Sequence, residues 1–225
     1  MNVDVAGPAG RLEALVEGPS DAPFAAVVCH PHPAMGGTMH THAAYRLAKA
    51  VVAGGGTALR FNYRGVGRSA GRYDAGRGEE QDARAALAWL AASRPGVPLL
   101  SCGFSFGAWM ALLAGGSDAR VTGLLLAGIA VEAQGLEDFR ETGRLRDLEK
   151  PLAVVQAGAD VLGPPAEIRA ALDGSRAPRR FAVVPGASHL FVEDLPALQR
   201  EAEAAIGWLR ARPRSSEAPR DGGET

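Results

Sequence analysis

Apolar residues along this chain fall into short blocks that alternate with stretches of helical spacing. Residues 3–6 and 11–16 alternate apolar and polar, and Gly7, Pro8 and Gly10 separate them, which predicts a β-hairpin. Continuous apolar runs at 25–29, 57–61, 97–102, 121–129, 151–157 and 181–184 predict strands buried on both faces. Between them lie helical patterns. Residues 42–52 place Ala43, Leu47, Ala50 and Val51 on one side, and Gly54, Gly55 and Gly56 end the helix. Residues 79–93 carry Ala83, Ala86, Leu87 and Leu90 on one stripe and stop at Pro95 and Gly96. Further helices are predicted at 106–114, 165–172 and 195–210, whereas 62–78 reads as a loop rich in Gly and Arg.

Strands alternating with helices predict the α/β class. The sheet is expected to be mostly parallel, with helices on both faces and an antiparallel hairpin at the N-terminal edge. One domain over 1–212 accommodates every element, and the polar segment 213–225 is expected to be a disordered tail. The stretch 130–150, helical by periodicity over 136–148, is too short for a large lid domain, so little or no cap is expected.

Composition narrows the functional classes. The net charge is −1 over 225 residues, with 47% apolar and 22% charged positions, which favours neither nucleic acid nor an anionic membrane as partner. The N-terminus has acids and glycines where a signal peptide needs a basic start and an apolar run, and no apolar run approaches the roughly 20 residues that span a bilayer. The two cysteines, Cys29 and Cys102, lie in separate apolar runs and suggest no disulfide framework. A cytoplasmic protein is expected. The two thiols end strands expected to be neighbours, so they are expected near each other, buried and inert.

The sharpest chemical signal is Gly103-Phe104-Ser105-Phe106-Gly107, which fits G-x-S-x-G between an apolar strand and an apolar helix. A serine on a tight strand-to-helix turn projects its oxygen at the carboxyl edge of the sheet. The helix that follows aims free N–H groups at developing negative charge. Such a hydroxyl needs a base and an orienting acid. His189 is the one histidine downstream of Ser105, and it follows a late strand in a Gly-containing loop. Asp160, directly after the strand at 151–157, is the favoured acid, with Glu132 as the alternative; Glu193 and Asp194 stand too close to His189 in sequence. Oxyanion donors are expected from the backbone N–H groups of Phe106 and of the loop after the strand at 25–29. There Pro31 and Pro33 have no N–H, leaving His32 or Ala34, with His32 preferred by position.

Four histidines cluster near that loop: His30, His32, His40 and His42. A metal site is the competing reading, but alternate residues on a Pro-locked loop point different ways and no local Cys or acid joins them. Arg64 and Arg68 could bind an anion, or Arg64 and Ser69 could simply brace their loop.

The motifs Cys29-His30-Pro31-His32-Pro33 with Gly36-Gly37-Thr38-Met39, then LRFNYRGVGRS over 59–69, GEEQDARAALAWL over 78–90, and GFSFG, resemble a compact bacterial family of predicted α/β-hydrolases. The resemblance implies an α/β-hydrolase fold and a catalytic triad falling on Ser105, Asp160 and His189. The segment 161–165 is only loosely like the family pattern. Together these signals predict a serine hydrolase that acts on a small-molecule acyl substrate, an ester or thioester, and needs no cofactor. An amidase or peptidase on the same residues, or a non-catalytic binding protein of this fold, are the alternatives. Met35, Tyr63, Arg64 and Phe104 are the candidate pocket residues.

Overall fold

A computed structural model describes residues 1–132, 139 and 142–212. The predicted tail and part of the helical pattern at 136–148 lie outside these residues. An N-terminal hairpin, β1 (Asn2–Gly7) and β2 (Gly10–Glu17), leads into β3 (Ala25–Cys29), α1 (His42–Ala53), β4 (Thr57–Phe61), α2 (Arg77–Ser93) and β5 (Leu99–Phe104). The second half runs through α3 (Phe106–Gly116), β6 (Val121–Ala127), α4 (Gly143–Arg146), β7 (Leu152–Ala157), α5 (Pro165–Asp173), β8 (Arg179–Val184) and α6 (Leu195–Arg210).

The eight strands form one sheet in the order β1-β2-β4-β3-β5-β6-β7-β8. β1 pairs antiparallel with β2, and β2 antiparallel with β4; every other pairing is parallel. All five residues of β3 and all five of β4 are buried, as are the six of β5 and of β7, which is why those segments read as unbroken apolar runs. One face packs against α2 and α3 and the other against α1 and α6, each over its own apolar cluster. The chain reverses direction along the sheet on either side of β3 and β5. Residues beyond the carboxyl ends of these strands therefore share one rim, where open α/β sheets place ligands.

Residues 128–151 join β6 to β7, and among the described ones α4 is the only helix there. No helix of the described residues is long and apolar enough to cross a membrane.

The loop between β4 and α2 is fixed by charge. Arg64 grips Asp82 of α2 through Nε (3.0 Å) and Nη2 (2.8 Å), and its own backbone N–H donates to the same carboxylate at 2.9 Å. The Asp82 hydrogen bonds push the Arg64 guanidinium further above its ordinary range. Asp82 is inaccessible to solvent, and the guanidinium lies just beneath the surface. Gly78 of α2 leaves room for the guanidinium: a Cβ there would sit 2.2 Å from Arg64 Nη1. Replacing Asp82 with alanine strands a cation with little water to solvate it. After allowance for screening, a loss of about 2–4 kcal/mol is expected, read as a fall in the urea midpoint at constant m-value.

Two readings left open by the sequence are decided here. Cys29 and Cys102 do lie on paired strands, β3 and β5. Successive side chains of a strand point to opposite faces, and the two cysteines fall on opposite faces of the sheet: Cys29 joins the cluster under α2 and α3, and Cys102 the cluster under α1 and α6. The thiols therefore sit in different apolar layers although their strands are neighbours. Burial raises both, Cys29 to about 12, so neither is a thiolate near neutral pH. Second, of the two readings of Arg64 the structure has the brace: Nε and Nη2 are spent on Asp82, and Ser69 ties the same loop through the Glu13 N–H and the Asn62 carbonyl.

Candidate active site

The turn after β5 is set by glycine and close packing. Ser105 takes φ 57° and ψ −123°, a left-handed conformation that costs a non-glycine residue energy and that surrounding packing must enforce. Glycines on both sides make room for it. A Cβ at Gly103 would stand 2.0 Å from the Gly107 carbonyl oxygen, and one at Gly107 would stand 2.3 Å from that of Cys29. The chain can reverse from β5 into α3 only with hydrogen at both positions. Ser105 donates its N–H to the Ala127 carbonyl at 3.0 Å, tying the turn to β6.

His189 lies in the loop after β8 and reaches Ser105 Oγ with Nε2 at 2.9 Å. Its Nδ1 lies 2.8 Å from Asp160 Oδ2 and 3.0 Å from Oδ1. The Phe104 ring stacks against the imidazole from below, with centroids 5.4 Å apart. The two loops are stitched together, since Gly158 donates to the Val184 carbonyl and Ala159 to that of Ala187, both at 2.8 Å. Glu193 has a different task from orienting the base. It accepts the N–H and the hydroxyl of Ser188, each at 3.0 Å, and these bonds hold its carboxyl below the usual range.

Asp160 is buried and densely solvated by protein. Leu162 N–H (2.9 Å) and Gly163 N–H (3.1 Å) donate to Oδ1, and Gln156 Nε2 (3.0 Å) to Oδ2. Gln156 is the polar residue that sequence reasoning overlooked. It is buried at the end of an apolar strand, and its amide also clamps Ile129, accepting from its N–H and donating to its carbonyl at 3.0 Å each. A lone amide closing an otherwise apolar strand was the available signal. Glu132, the other candidate acid, lines the cleft mouth while Asp160 engages Nδ1 of His189.

The loop after β3 forms the opposite wall. Pro33–Met35 make a single 3-10 turn entered from His32. The His32 imidazole is anchored on both sides: Nδ1 accepts the Ala34 N–H at 3.2 Å and Nε2 faces the Tyr73 hydroxyl at 3.0 Å. A ring that accepts at Nδ1 carries its proton on Nε2, and burial lowers its pKa toward that neutral form. Gly37 folds back so tightly that a Cβ would lie 2.2 Å from the Pro31 carbonyl oxygen. Among the described residues, the backbone N–H groups of His32 and of Phe106, the first residue of α3, have no acceptor.

Of the four histidines, His30 points inward. Its Nδ1 donates to the Pro31 carbonyl at 2.7 Å and its Nε2 accepts the Tyr63 N–H at 3.2 Å, and burial lowers its pKa to about 3. His40 and His42 are exposed at the entry to α1. Among the described residues, no three His, Cys, Asp or Glu side chains gather as a metal-binding group.

Ser105, Phe106, His32 and His189 all face one cleft of about 790 Å³, together with Met35, Glu132, Val161 and Leu162. Three expected pocket residues are elsewhere. Tyr63 is fully buried between His30, Phe61 and Phe106, its hydroxyl beside the Cys29 thiol without a well-formed hydrogen bond. Phe104 is the buried support beneath His189. Arg64 is committed to Asp82. Chemically, the line from carboxylate through imidazole to hydroxyl can strip a proton from Ser105, and the two N–H groups can receive charge on an attacked carbonyl.

Comparison with known proteins agrees with this architecture. The model of the alpha/beta hydrolase domain family matches residues 25–204. An uncharacterized protein of Rickettsia prowazekii is 47% identical over 110 residues, which are 47% of this chain and 45% of the relative, so the match spans less than half of that curated protein. An alpha-beta serine hydrolase homologue from Coxiella burnetii shares 31% identity with a TM-score of 0.83, over 92% of this chain and 97% of that one. An a/b serine hydrolase without lid from Xanthomonas campestris shares 32% identity with a TM-score of 0.82, over 95% and 96% of the two chains. With this sheet order, this serine turn and a match over most of its length, the chain belongs to the alpha/beta hydrolase family.

Proposed function

We propose that the chain is a serine hydrolase of carboxylic esters or thioesters that works through an acyl-enzyme. The observation that carries this reading is the unbroken line from Asp160 to His189 (2.8 Å) to Ser105 (2.9 Å) at the wall of an open cleft. Asp160 accepts the proton-bearing Nδ1 and so fixes the tautomer that turns the Nε2 lone pair toward Ser105. Ser105 Oγ attacks the acyl carbon as its proton passes to Nε2, and the carbonyl electrons move onto the oxygen, which the N–H groups of Phe106 and His32 receive. Collapse of this intermediate breaks the bond to the alcohol or thiol, which leaves with the proton from Nε2. Water then attacks the acyl-serine, again losing a proton to Nε2, and the carboxylic acid departs as Ser105 is restored.

The test is labelling with a fluorophosphonate probe. Wild-type protein is expected to label at Ser105, and Ser105→Ala and His189→Ala are expected to lose the label. Labelling that survives Ser105→Ala would overturn the reading.

A further inference from the structure

The cleft that holds Ser105 has an unusual rim. Large apolar side chains are rarely left in water as a group, and a contiguous exposed set marks a binding surface. Among the described residues, Met35 (84% exposed), Val161 (86%), Leu162 (53%) and Leu190 (54%) stand exposed, and all four line this one cleft. Val192, 58% exposed, follows two residues after Leu190. They come from three different loops, after β3, β7 and β8, so local sequence bias does not account for their meeting. The inner wall continues the same chemistry with Pro31, Phe106 and Ala130. No Lys or Arg is found among the described lining residues, so they offer no cation to pair with a charged acyl group.

We propose that this cleft selects uncharged aliphatic acyl groups of medium length, with Met35, Val161, Leu162 and Leu190 as the surface along which the chain lies. The proposal rests on the serine-hydrolase reading above, since the acyl carbon must sit at Ser105 for the chain to reach the rim. The cleft has the size of a small-molecule site. Its rim side chains stay 53–86% exposed, so a chain lying among them is only partly buried. Each added methylene then gains about half of a full burial, which corresponds to roughly twofold in kcat/KM. Acyl groups with a terminal carboxylate lose water there and meet no Lys or Arg among the described lining residues.

The test uses the wild-type chain and para-nitrophenyl esters with acetyl, butanoyl, octanoyl and succinyl groups, kept below their aggregation concentrations. We expect kcat/KM to rise roughly fifteenfold from butanoyl to octanoyl, and succinyl to react at least tenfold more slowly than butanoyl. The paired variant Met35→Ser with Val161→Ser, and separately Leu190→Ser, should reduce the octanoyl-to-acetyl ratio about tenfold. Ser105-dependent hydrolysis with a flat or falling chain-length profile would overturn this proposal and leave the serine-hydrolase reading standing. So would succinyl esters reacting as fast as butanoyl, or variants that leave the ratio unchanged. Loss of every Ser105-dependent signal, including fluorophosphonate labelling, would overturn both.

Discussion

Alanine in place of Ser105 is expected to reduce ester hydrolysis by on the order of 10⁴-fold or more while leaving the fold intact. The hydroxyl is the atom that would form the covalent bond, and no other side chain on the cleft wall stands at hydrogen-bond distance from His189 Nε2 among the described contacts. Its removal also relieves nothing structural, because Ser105 holds its turn with backbone bonds: its N–H to the Ala127 carbonyl, and its own carbonyl to Ala108 N–H at 2.8 Å. Alanine keeps both. Circular dichroism and the thermal midpoint should therefore match wild type while turnover of an acetyl or octanoyl ester falls to background. A drop of less than tenfold would mean that the hydroxyl is not the nucleophile.

Asp160→Asn is the second large effect. A carboxamide nearly matches the carboxylate in shape, but Asp160 accepts from four separate groups: Leu162 and Gly163 N–H, Gln156 Nε2 and His189 Nδ1. Whichever way the amide turns, its NH₂ meets at least one N–H donor. If it meets Leu162 and Gly163, two backbone donors lose their partner; if it faces His189, the imidazole is driven to the other tautomer, with its proton on Nε2. That tautomer cannot take a proton from Ser105. We expect kcat to fall about 10⁴-fold, with KM little changed, and stability to drop by about 1–3 kcal/mol from the unsatisfied donors. Steady-state kinetics with thermal denaturation of the same sample separates the two effects. A variant with near wild-type kcat would show that the carboxylate neither sets the tautomer nor stabilises the imidazolium.

Much of the fold was legible because parallel sheets bury their strands on both faces. Residues 25–29 and 57–61 read as unbroken apolar runs and form β3 and β4 over those same spans. Boundaries failed where long-range pairing decides them. β5 begins at Leu99, after Pro98, which has no N–H for the ladder, and runs on to Phe104 because Gly103 pairs with Cys29 and Phe104 with Ala127. Neither partner is visible locally. α2 starts at Arg77, two residues before the expected start, since Glu79 folds back to cap it through the N–H groups of Gly76 (2.8 Å) and Asp74 (2.9 Å). β8 extends back to Arg179 and Arg180 because an edge strand tolerates half-exposed polar residues.

At the site, the juxtaposition of Ser105, Asp160 and His189 was readable from motif and chain order, because strand ends of such a sheet share one rim. What lines the cleft was not. Tyr63 and Phe104 look like pocket aromatics in sequence, yet strand direction and loop closure turn both inward, where they support His30 and His189. The roles of Gln156 and Tyr73 were also hidden. Each acts through a contact between segments remote in sequence: Gln156 with Ile129, and Tyr73 with His32.

Intact-mass spectrometry of the protein quenched during turnover of an octanoyl thioester or ester, followed by peptide mapping, addresses the covalent claim itself. The account predicts a transient mass gain of one octanoyl group on the peptide that contains Ser105, absent from Ser105→Ala. Rapid hydrolysis with no adduct at Ser105 at any quench time, and unchanged rates in Ser105→Ala, would contradict it.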